Sequence, residues 1–222
     1  MLGPWVLSID GLVGLGGQVM TGRRDESGEM SDDTNPDPAE HFNAALDAID
    51  GGDLKAARAA LEVVVSLCPD DEEAVVILAR VLRDLGEVDL AVTHLEARIV
   101  SAPEDVDAAV ELADIRLSQG EPGQAAQLVA GVLELRPNHF DALFLLGNAF
   151  LDVAAHEEAA KAYQASLEVN PFSAQAWYNL GKSREALGDA ERAVSAYRAY
   201  LRAAPRAEDQ LEVQGWIARL EG

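Results

Sequence analysis

Proline recurs every 34 residues along most of this chain of 222 residues. The series consists of Pro69, Pro103, Pro137, Pro171 and Pro205. An alanine stands twelve residues before each proline, at Ala57, Ala91, Ala125, Ala159 and Ala193. Two residue types that keep one phase over five periods predict an array of similar units, each packing mainly on its neighbours.

Each period contains two segments with apolar residues at helical spacing, separated by a glycine. The glycine column comprises Gly52, Gly86, Gly120 and Gly188, with Ala154 as the exception. Glycine in this place supplies the left-handed residue that ends the first helix, and the proline ends the second. At Ala154 this cap is lost, so we expect the turn there to differ slightly or to cost about 1 kcal/mol.

A small residue also recurs within the first helix of every unit. This column comprises Ala45, Ala79, Ala113, Gly147 and Gly181. In the fourth unit Gly147 lies on the same side as the apolar stripe of Leu143, Leu146 and Phe150. A bulky residue there would hold the neighbouring helix away, so this column marks a close helix crossing.

A period of 34 residues per helix pair is typical of the tetratricopeptide repeat. The segment Trp177-Tyr178-Asn179-Leu180-Gly181 resembles the first-helix signature of that family, and Tyr197 and Pro205 follow at the expected positions. The resemblance covers about residues 38 to 207 and is strongest in the last two units. It implies an all-α fold, an α-solenoid of five helix–turn–helix repeats. The units are 38–71, 72–105, 106–139, 140–173 and 174–207.

The first three units depart from the family pattern. His41, Val75 and Ala109 stand where the first helix usually carries tryptophan, and Ala48 and Arg116 replace the usual aromatic residue. We expect these changes to affect packing more than the fold.

The segment after the last unit, residues 208–222, is predicted to be a capping helix. From Glu208 to Leu220 it is amphipathic, with Leu211, Ile217 and Leu220 expected on one side. A solenoid needs such a cover because its terminal unit otherwise exposes an apolar face.

Residues 1–37 do not follow the repeat and are predicted to be a disordered N-terminal extension. Met1–Met20 is apolar and glycine-rich, and Asp25–Pro38 is acidic with proline and serine. A signal peptide would have basic residues before the apolar run, and this chain has none there. A membrane anchor would have a cleaner run, whereas this one contains Asp10 and several glycines. The third alternative is an unstructured extension upstream of a natural start at Met30.

The chain is strongly acidic, with 39 acidic against 17 basic residues and a formal charge of −22. Nucleic acid and anionic membranes are therefore not expected partners, because both are negatively charged. The charge has two interpretations, which are steering of a basic partner and simple solubility. The single cysteine, Cys68, excludes an intramolecular disulfide.

No motif predicts catalysis, a metal site or a cofactor. No pair of the four histidines has metal-ligand spacing, and His156-Glu157-Glu158 lacks the second histidine of a zinc-protease motif. Gly14-Leu15-Gly16-Gly17 lacks the lysine of a phosphate-binding loop. The chain is therefore predicted to be non-catalytic and to use no cofactor.

The family resemblance implies that first-helix residues line a concave groove. The fifth places of the units hold Phe42, Val76, Val110, Phe144 and Tyr178. Polar ninth places hold Arg80, Asp114, Asn148 and Lys182. These nine residues are the predicted partner-binding groove, an apolar ladder with mixed polar flanks. The alternative interpretation is that fifth-place residues pack between adjacent first helices.

Chaperone-binding members of the family clamp a carboxylate with basic residues and asparagine in these places. Here the second places hold Ala39, Glu73, Asp107, Asp141 and Gln175. Such an acidic entrance repels a carboxylate, so this function is not expected.

The sequence thus predicts a cytoplasmic, non-catalytic adaptor or scaffold that binds a protein or peptide segment in the concave groove. The alternative is a membrane-tethered assembly factor, anchored through residues 1–20, that serves a secretion or cell-surface apparatus. The partner's identity and the oligomeric state are left open.

Overall fold

The computed structural model describes residues 37–205 and 208–222. This part of the chain forms eleven α-helices. They are α1 Pro38–Asp50, α2 Leu54–Leu67, α3 Glu72–Asp84, α4 Val88–Ser101, α5 Val106–Ser118, α6 Pro122–Leu135, α7 Phe140–Asp152, α8 His156–Val169, α9 Ala174–Ala186, α10 Ala190–Ala203 and α11 Gln210–Glu221. The prediction of an all-α solenoid of five helix pairs and a final helix is confirmed. The predicted extension before Asp37, with its three alternatives, lies outside the described residues, as do residues 206–207.

Each pair begins and ends where its capping residues require. The first helices α3, α5 and α9 start after Asp71, Asp105 and Ser173, whose side chains accept a hydrogen bond from a backbone N–H in the first turn. The glycine after the first helix is left-handed, as at Gly86 with φ 81°. There Gly86 N donates to Arg83 O at 2.9 Å and Glu87 N donates to Leu82 O at 2.8 Å, closing the helix end.

Ala154 is left-handed like the glycines although it carries a side chain. Its φ is 56°, and its N–H donates to Leu151 O at 2.9 Å, while Ala155 N donates to Phe150 O at 2.8 Å. The turn nevertheless differs slightly, as expected, because Val153 before it has φ −97° and ψ 14°, whereas Leu85 before Gly86 has φ −78° and ψ −7°. The steric cost of a left-handed Cβ remains.

The column of small residues lies where the two helices of a unit cross. In the fourth and fifth units the small residue is glycine, and it lies against the buried rings of Tyr163 and Tyr197. In the first three units it is alanine, and the residue at the tyrosine place is smaller. The alanines Ala45, Ala79 and Ala113 share core clusters with Leu61, Leu95 and Val129 respectively. Side-chain volume is thus balanced across the crossing, because well-packed cores tolerate little change in volume.

The first helices form the inner layer of the array. Among helices that are not consecutive, α3 lies against α5 and α5 lies against α7. Each of these is the first helix of its unit. Close first helices and more widely spaced second helices give a curve with the first helices inside, as in other solenoids.

An almost fully buried ion pair joins the second and third units. Arg98 Nε donates to Asp105 Oδ2 at 2.5 Å, and Asp105 Oδ1 caps α5 by accepting from Ala108 N at 2.9 Å. The Arg98 guanidinium also donates to Asp70 O at 3.1 Å. The hydrogen bond to Asp105 raises the pKa of Arg98, so the arginine keeps its charge at this junction.

The final helix covers the apolar face of α10. Val213 and Ile217 are buried against Tyr197 and Tyr200, and Leu220 is partly buried there. The expectation for Leu211 is wrong, because its side chain is 83% exposed. The helix begins at Gln210, and the buried stripe follows the 213–217 spacing of four residues, which leaves Leu211 on another face.

None of the helices in the described residues is long and apolar enough to cross a membrane.

Candidate partner-binding groove

The first-helix face carries most of the predicted ladder at partial exposure. Phe42, Val110, Phe144 and Tyr178 are half-buried. Val76 is only 5% exposed and belongs to the core of the first units. At Val76 the packing interpretation therefore describes the residue better than the groove interpretation does.

Three depressions follow one another along this face. The first, of about 380 Å³, is lined by Pro38, Ala39, Phe42, Asn43, Val64, Asp71 and Glu73. The second, of about 500 Å³, is lined by Glu72, Glu73, Val76, Ile77, Arg80 and Asp107. The third, of about 540 Å³, is lined by Asp114, Phe144, Asn148, Gln175, Tyr178, Asn179, Tyr200 and Asp209. We call this third depression the aromatic groove, and it brings together four of the nine predicted residues.

Tyr178 is the central side chain of the aromatic groove. Its ring meets Tyr200 edge to face with 5.3 Å between centroids, and Trp216 lies 6.0 Å away. Lys182 Nζ lies 5.6 Å from the Tyr178 centroid, a cation–π contact. Because several neighbours hold the ring, it presents a fixed apolar surface to a ligand.

Two asparagines form a fixed polar part of the groove. Asn148 Oδ1 accepts from the Tyr163 hydroxyl at 2.7 Å and from Asn179 Nδ2 at 3.2 Å. The Tyr163 ring is fully buried, and this burial raises the pKa of its hydroxyl, which therefore stays protonated and able to donate at neutral pH. The two amide groups are thus held in place before any partner binds.

The middle of the face is occupied by an ion network that sequence reasoning missed. Arg80 Nε donates to Glu111 Oε2 at 2.7 Å, and Arg83 Nη1 lies 2.6 Å from Glu111 Oε1. Arg83 Nη1 also donates to Asp114 Oδ2 at 3.0 Å. Arg80 and Asp114, both predicted groove residues, therefore already have partners within the chain.

A constant separation connects these contacts. Arg80–Glu111, Arg83–Asp114 and Asn148–Asn179 are each 31 residues apart. That spacing is one repeat less about one helical turn, so it pairs side chains across adjacent first helices. A charged or amide pair at this spacing is therefore the sequence signal that could have pointed to Glu111.

Tyr200 and Asp209 were also missed by sequence reasoning. Tyr200 comes from the second helix α10 and Asp209 from the residue before α11, so neither lies in a first-helix place. The Tyr200 hydroxyl donates to Asp209 Oδ1 at 2.5 Å. Burial, with help from this carboxylate, raises the pKa of Tyr200 to about 12.

The entrance to the second depression is negative. Glu72, Glu73 and Asp107 are exposed at the starts of α3 and α5. The charge of Asp105, together with burial and the charge of Asp107, raises the pKa of Glu72. Such a shift means that the local potential is negative even with Arg98 nearby.

The comparisons with known proteins agree with this architecture. A sequence profile of the tetratricopeptide repeat matches residues 42–106, 78–140, 110–159 and 144–208. No curated protein sequence matches the chain significantly.

Solved structures of the same fold are similar over most of their length. The protein MamA from Desulfovibrio magneticus RS-1, from residue 41 to its end, has a TM-score of 0.67 at 19% identity, covering 78% of this chain and 99% of that one. A thermophilic repeat protein from Thermus thermophilus has a TM-score of 0.64 at 17% identity, covering 83% and 99%. A tetratricopeptide repeat protein from Parabacteroides merdae has a TM-score of 0.67 at 18% identity, covering 83% and 76%. At these identities the similarity shows the fold alone.

The profile matches together span residues 42–208, which is well over half of the chain. With five helix pairs of the matching period, the chain belongs to the tetratricopeptide-repeat family, whose arrays serve generally as scaffolds for protein–protein interaction.

Proposed function

We propose that this protein is a non-catalytic adaptor that binds a segment of a partner protein along its first-helix face. The observation that carries the proposal is the aromatic groove, where Phe144, Tyr178 and Tyr200 surround two fixed asparagine amides. Its non-catalytic character rests on the general use of the family as scaffolds.

The groove offers a partner both apolar area and orientation. Half-buried aromatic rings that are already held by neighbours lose little conformational freedom when a ligand covers them. The amides of Asn148 and Asn179 supply polar groups in a fixed position between the rings. This combination is typical of sites that recognise a peptide.

The charge of the face favours a partner segment with lysine or arginine. The arginines of the face, Arg80 and Arg83, are paired with Glu111 and Asp114. The carboxylates of the second depression and Asp209 in the aromatic groove remain to attract cations. Opposite charge would increase the association rate and reject acidic segments.

The test uses full-length protein as bait in affinity purification, followed by titration calorimetry with the captured partner. Tyr178→Ala and Phe144→Ala should each weaken the partner's affinity by about tenfold or more, since each removes an apolar anchor. Phe172→Ala is the matched control, because Phe172 is equally aromatic but lies exposed in the turn before α9. Circular dichroism shows whether each variant is folded.

Partner affinity that is the same in wild type, Tyr178→Ala and Phe144→Ala would remove the groove from the proposal. A captured partner whose bound segment is acidic would remove the charge argument.

The membrane-tethered alternative depends on residues 1–20 and is tested separately, by cell fractionation of the full chain against one that starts at Met30. Equal distribution of the two would argue against the anchor.

A further inference from the structure

A further depression lies away from the first-helix face. It has a volume of about 750 Å³ and lies between the second helices α4 and α6, above α5. We call it the outer groove and define it by its apolar lining. That lining includes Ile99, Val100, Ala109, Leu112, Val132 and Leu135. On α5, Ala109 and Leu112 face this groove, whereas Val110 and Asp114 belong to the opposite, inner side.

The outer groove is open because two side chains there are small. Ala109 occupies the place that Trp177 fills in the last unit, and Trp177 packs between the two terminal core clusters. On the other wall, Gly131 of α6 has no atom within 4 Å of where its Cβ would lie. The third unit therefore lacks the large side chain that fills the equivalent space in the fifth unit.

Large apolar side chains stand exposed at the edges of this groove. Val100 is 82% exposed and Leu135 is 56% exposed. The partly buried Ile99 and Leu128 line the same depression between α4 and α6. Several apolar side chains around one depression mark an interaction surface more often than an isolated exposed residue does.

The walls of the groove determine the backbone of its occupant. Both walls are α-helices of 14 residues, in which backbone N–H and C=O groups are already paired. The walls therefore offer no backbone ladder to an extended segment, which favours an occupant that satisfies its own hydrogen bonds as a helix. At about 1.5 Å per residue the walls are about 21 Å long, which matches roughly four turns.

The rim of the groove determines the charge of its occupant. Arg116 is already bonded to Glu96 at 2.5 Å, to Glu121 at 3.1 Å and to Gln119 at 3.0 Å. Asp105 is likewise neutralised by Arg98. Glu134 is exposed on the rim, and the chain as a whole carries −22. The remaining field is negative, so it attracts basic groups and repels a second copy of this chain.

We propose that the outer groove is a second docking site, which takes an amphipathic helix of a partner protein with an apolar stripe and basic flanks. The apolar stripe covers Val100 and Leu135, and the basic flanks face Glu134 and the pair Glu96 and Glu121, two carboxylates that share the single guanidinium of Arg116. The site is independent of the first-helix face, so the protein can hold two partners at once.

The probe is a fluorescein-labelled synthetic peptide of about 18 residues, built from leucine, lysine and alanine as an amphipathic helix. Fluorescence anisotropy measures its affinity for the full chain. Two peptides serve as controls: a scrambled version of equal composition and charge, and a version with glutamate in place of lysine. The amphipathic lysine peptide should bind at least about tenfold more tightly than either.

Variants of the chain locate the binding. Ala109→Trp fills the groove with the residue that the last unit already carries, and Val100→Gln removes an exposed apolar contact. Each should weaken binding roughly tenfold. Leu211→Gln is the matched control, because Leu211 is as exposed as Val100 but lies on α11, and it should leave affinity within about twofold. Should Ala109→Trp fail to fold, Val100→Gln and Leu135→Gln decide, since both residues are exposed.

Equal binding of the scrambled peptide would show attraction by net charge alone and would overturn the proposal. Unchanged affinity in folded Ala109→Trp and Val100→Gln, tight binding of the glutamate peptide, or no binding of any peptide would also overturn it. Tyr178→Ala should leave the peptide's affinity unchanged, which separates this site from the proposed adaptor function of the inner face.

Discussion

Replacing Gly147 by alanine adds one methyl group at the point where α7 crosses α8. An ideal Cβ on Gly147 would lie 2.5 Å from Cε1, 2.7 Å from Cδ1 and 2.9 Å from Cζ of Tyr163. The Tyr163 ring is fully buried, and its hydroxyl is bonded to Asn148. The ring therefore cannot swing away without disturbing the core and the aromatic groove together.

The net effect follows from two opposing terms. Overpacking a core costs about 1 to 3 kcal/mol, and three ring atoms inside contact distance put Gly147→Ala near the upper limit. Alanine in a helix interior is better than glycine by about 1 kcal/mol. Gly147→Ala should therefore lower the free energy of unfolding by about 2 kcal/mol.

Gly131→Ala is the matched control, because it makes the same change within a helix where nothing lies within 4 Å of the new Cβ. Only the higher helix propensity of alanine acts there, so the free energy of unfolding of this variant should rise by about 1 kcal/mol. Urea unfolding followed by circular dichroism measures both variants. The same substitution is thus expected to have opposite signs at the two positions.

A second substitution tests the cause of the loss. Combining Gly147→Ala with Tyr163→Leu reproduces the alanine and leucine pair found in the first two units, at Ala45 and Leu61 and again at Ala79 and Leu95. The double variant should be more stable than the sum of the single effects by about 1 to 3 kcal/mol. If Gly147→Ala stabilises the protein as much as Gly131→Ala does, the close helix crossing derived from the structure is refuted.

Three further predictions concern the turn, the buried ion pair and the tyrosines. Ala154→Gly should raise the free energy of unfolding by about 1 kcal/mol, because it removes the Cβ of a left-handed residue. Ala155→Gly in the same turn is the control, since it has no such strain to relieve. Equal effects of the two variants in urea unfolding would contradict this. Asp105→Ala should cost at least about 3 kcal/mol, because it leaves the largely buried Arg98 guanidinium without its neutralising carboxylate and α5 without its cap. The matched variant Asp71→Ala removes only a helix cap and should cost about 1 kcal/mol; similar losses for the two would argue against a buried ion pair. Burial raises the pKa of all four tyrosines, Tyr200 to about 12. The protonated tyrosines therefore stabilise the folded state fully below about pH 10. Above that pH the unfolded chain releases its tyrosine protons before the folded chain does, so the stabilisation is lost as the pH rises. Absorbance titration of tyrosinate with parallel unfolding measurements checks this, and ordinary tyrosine ionisation in the folded protein would refute it.

The sequence pattern predicted the repeat, the turns and the small residues at the helix crossings. These features are local, or they repeat identically, so each column reports its own physical requirement. Proline ends a helix wherever it stands, and glycine is favoured wherever the backbone is left-handed. The prediction for α11 was less accurate, since Leu211 is exposed, because a lone amphipathic segment does not show which of its faces meets the solenoid.

The groove residues were harder to predict, because a side chain's availability depends on the neighbouring unit. Val76 stands in the same place as Phe144 but is buried. Arg80 is neutralised by Glu111, which sequence reasoning had not assigned to the face. Both outcomes depend on contacts between adjacent first helices, and a pattern read within one unit contains no information about them.

The 34-residue period and the first-helix signature of the last unit by themselves predicted an array of five helix pairs of the tetratricopeptide type, because the proline, glycine and small-residue columns set where each helix ends and crosses its partner. Packing between the units then selected the surfaces that remain free. Stacking placed Tyr200 and Asp209 beside Tyr178, paired the inner arginines across units, and left the space above Ala109 open. Burial and charge neutralisation arise between units, because they come from side chains that are distant in the sequence and become neighbours only when the solenoid stacks.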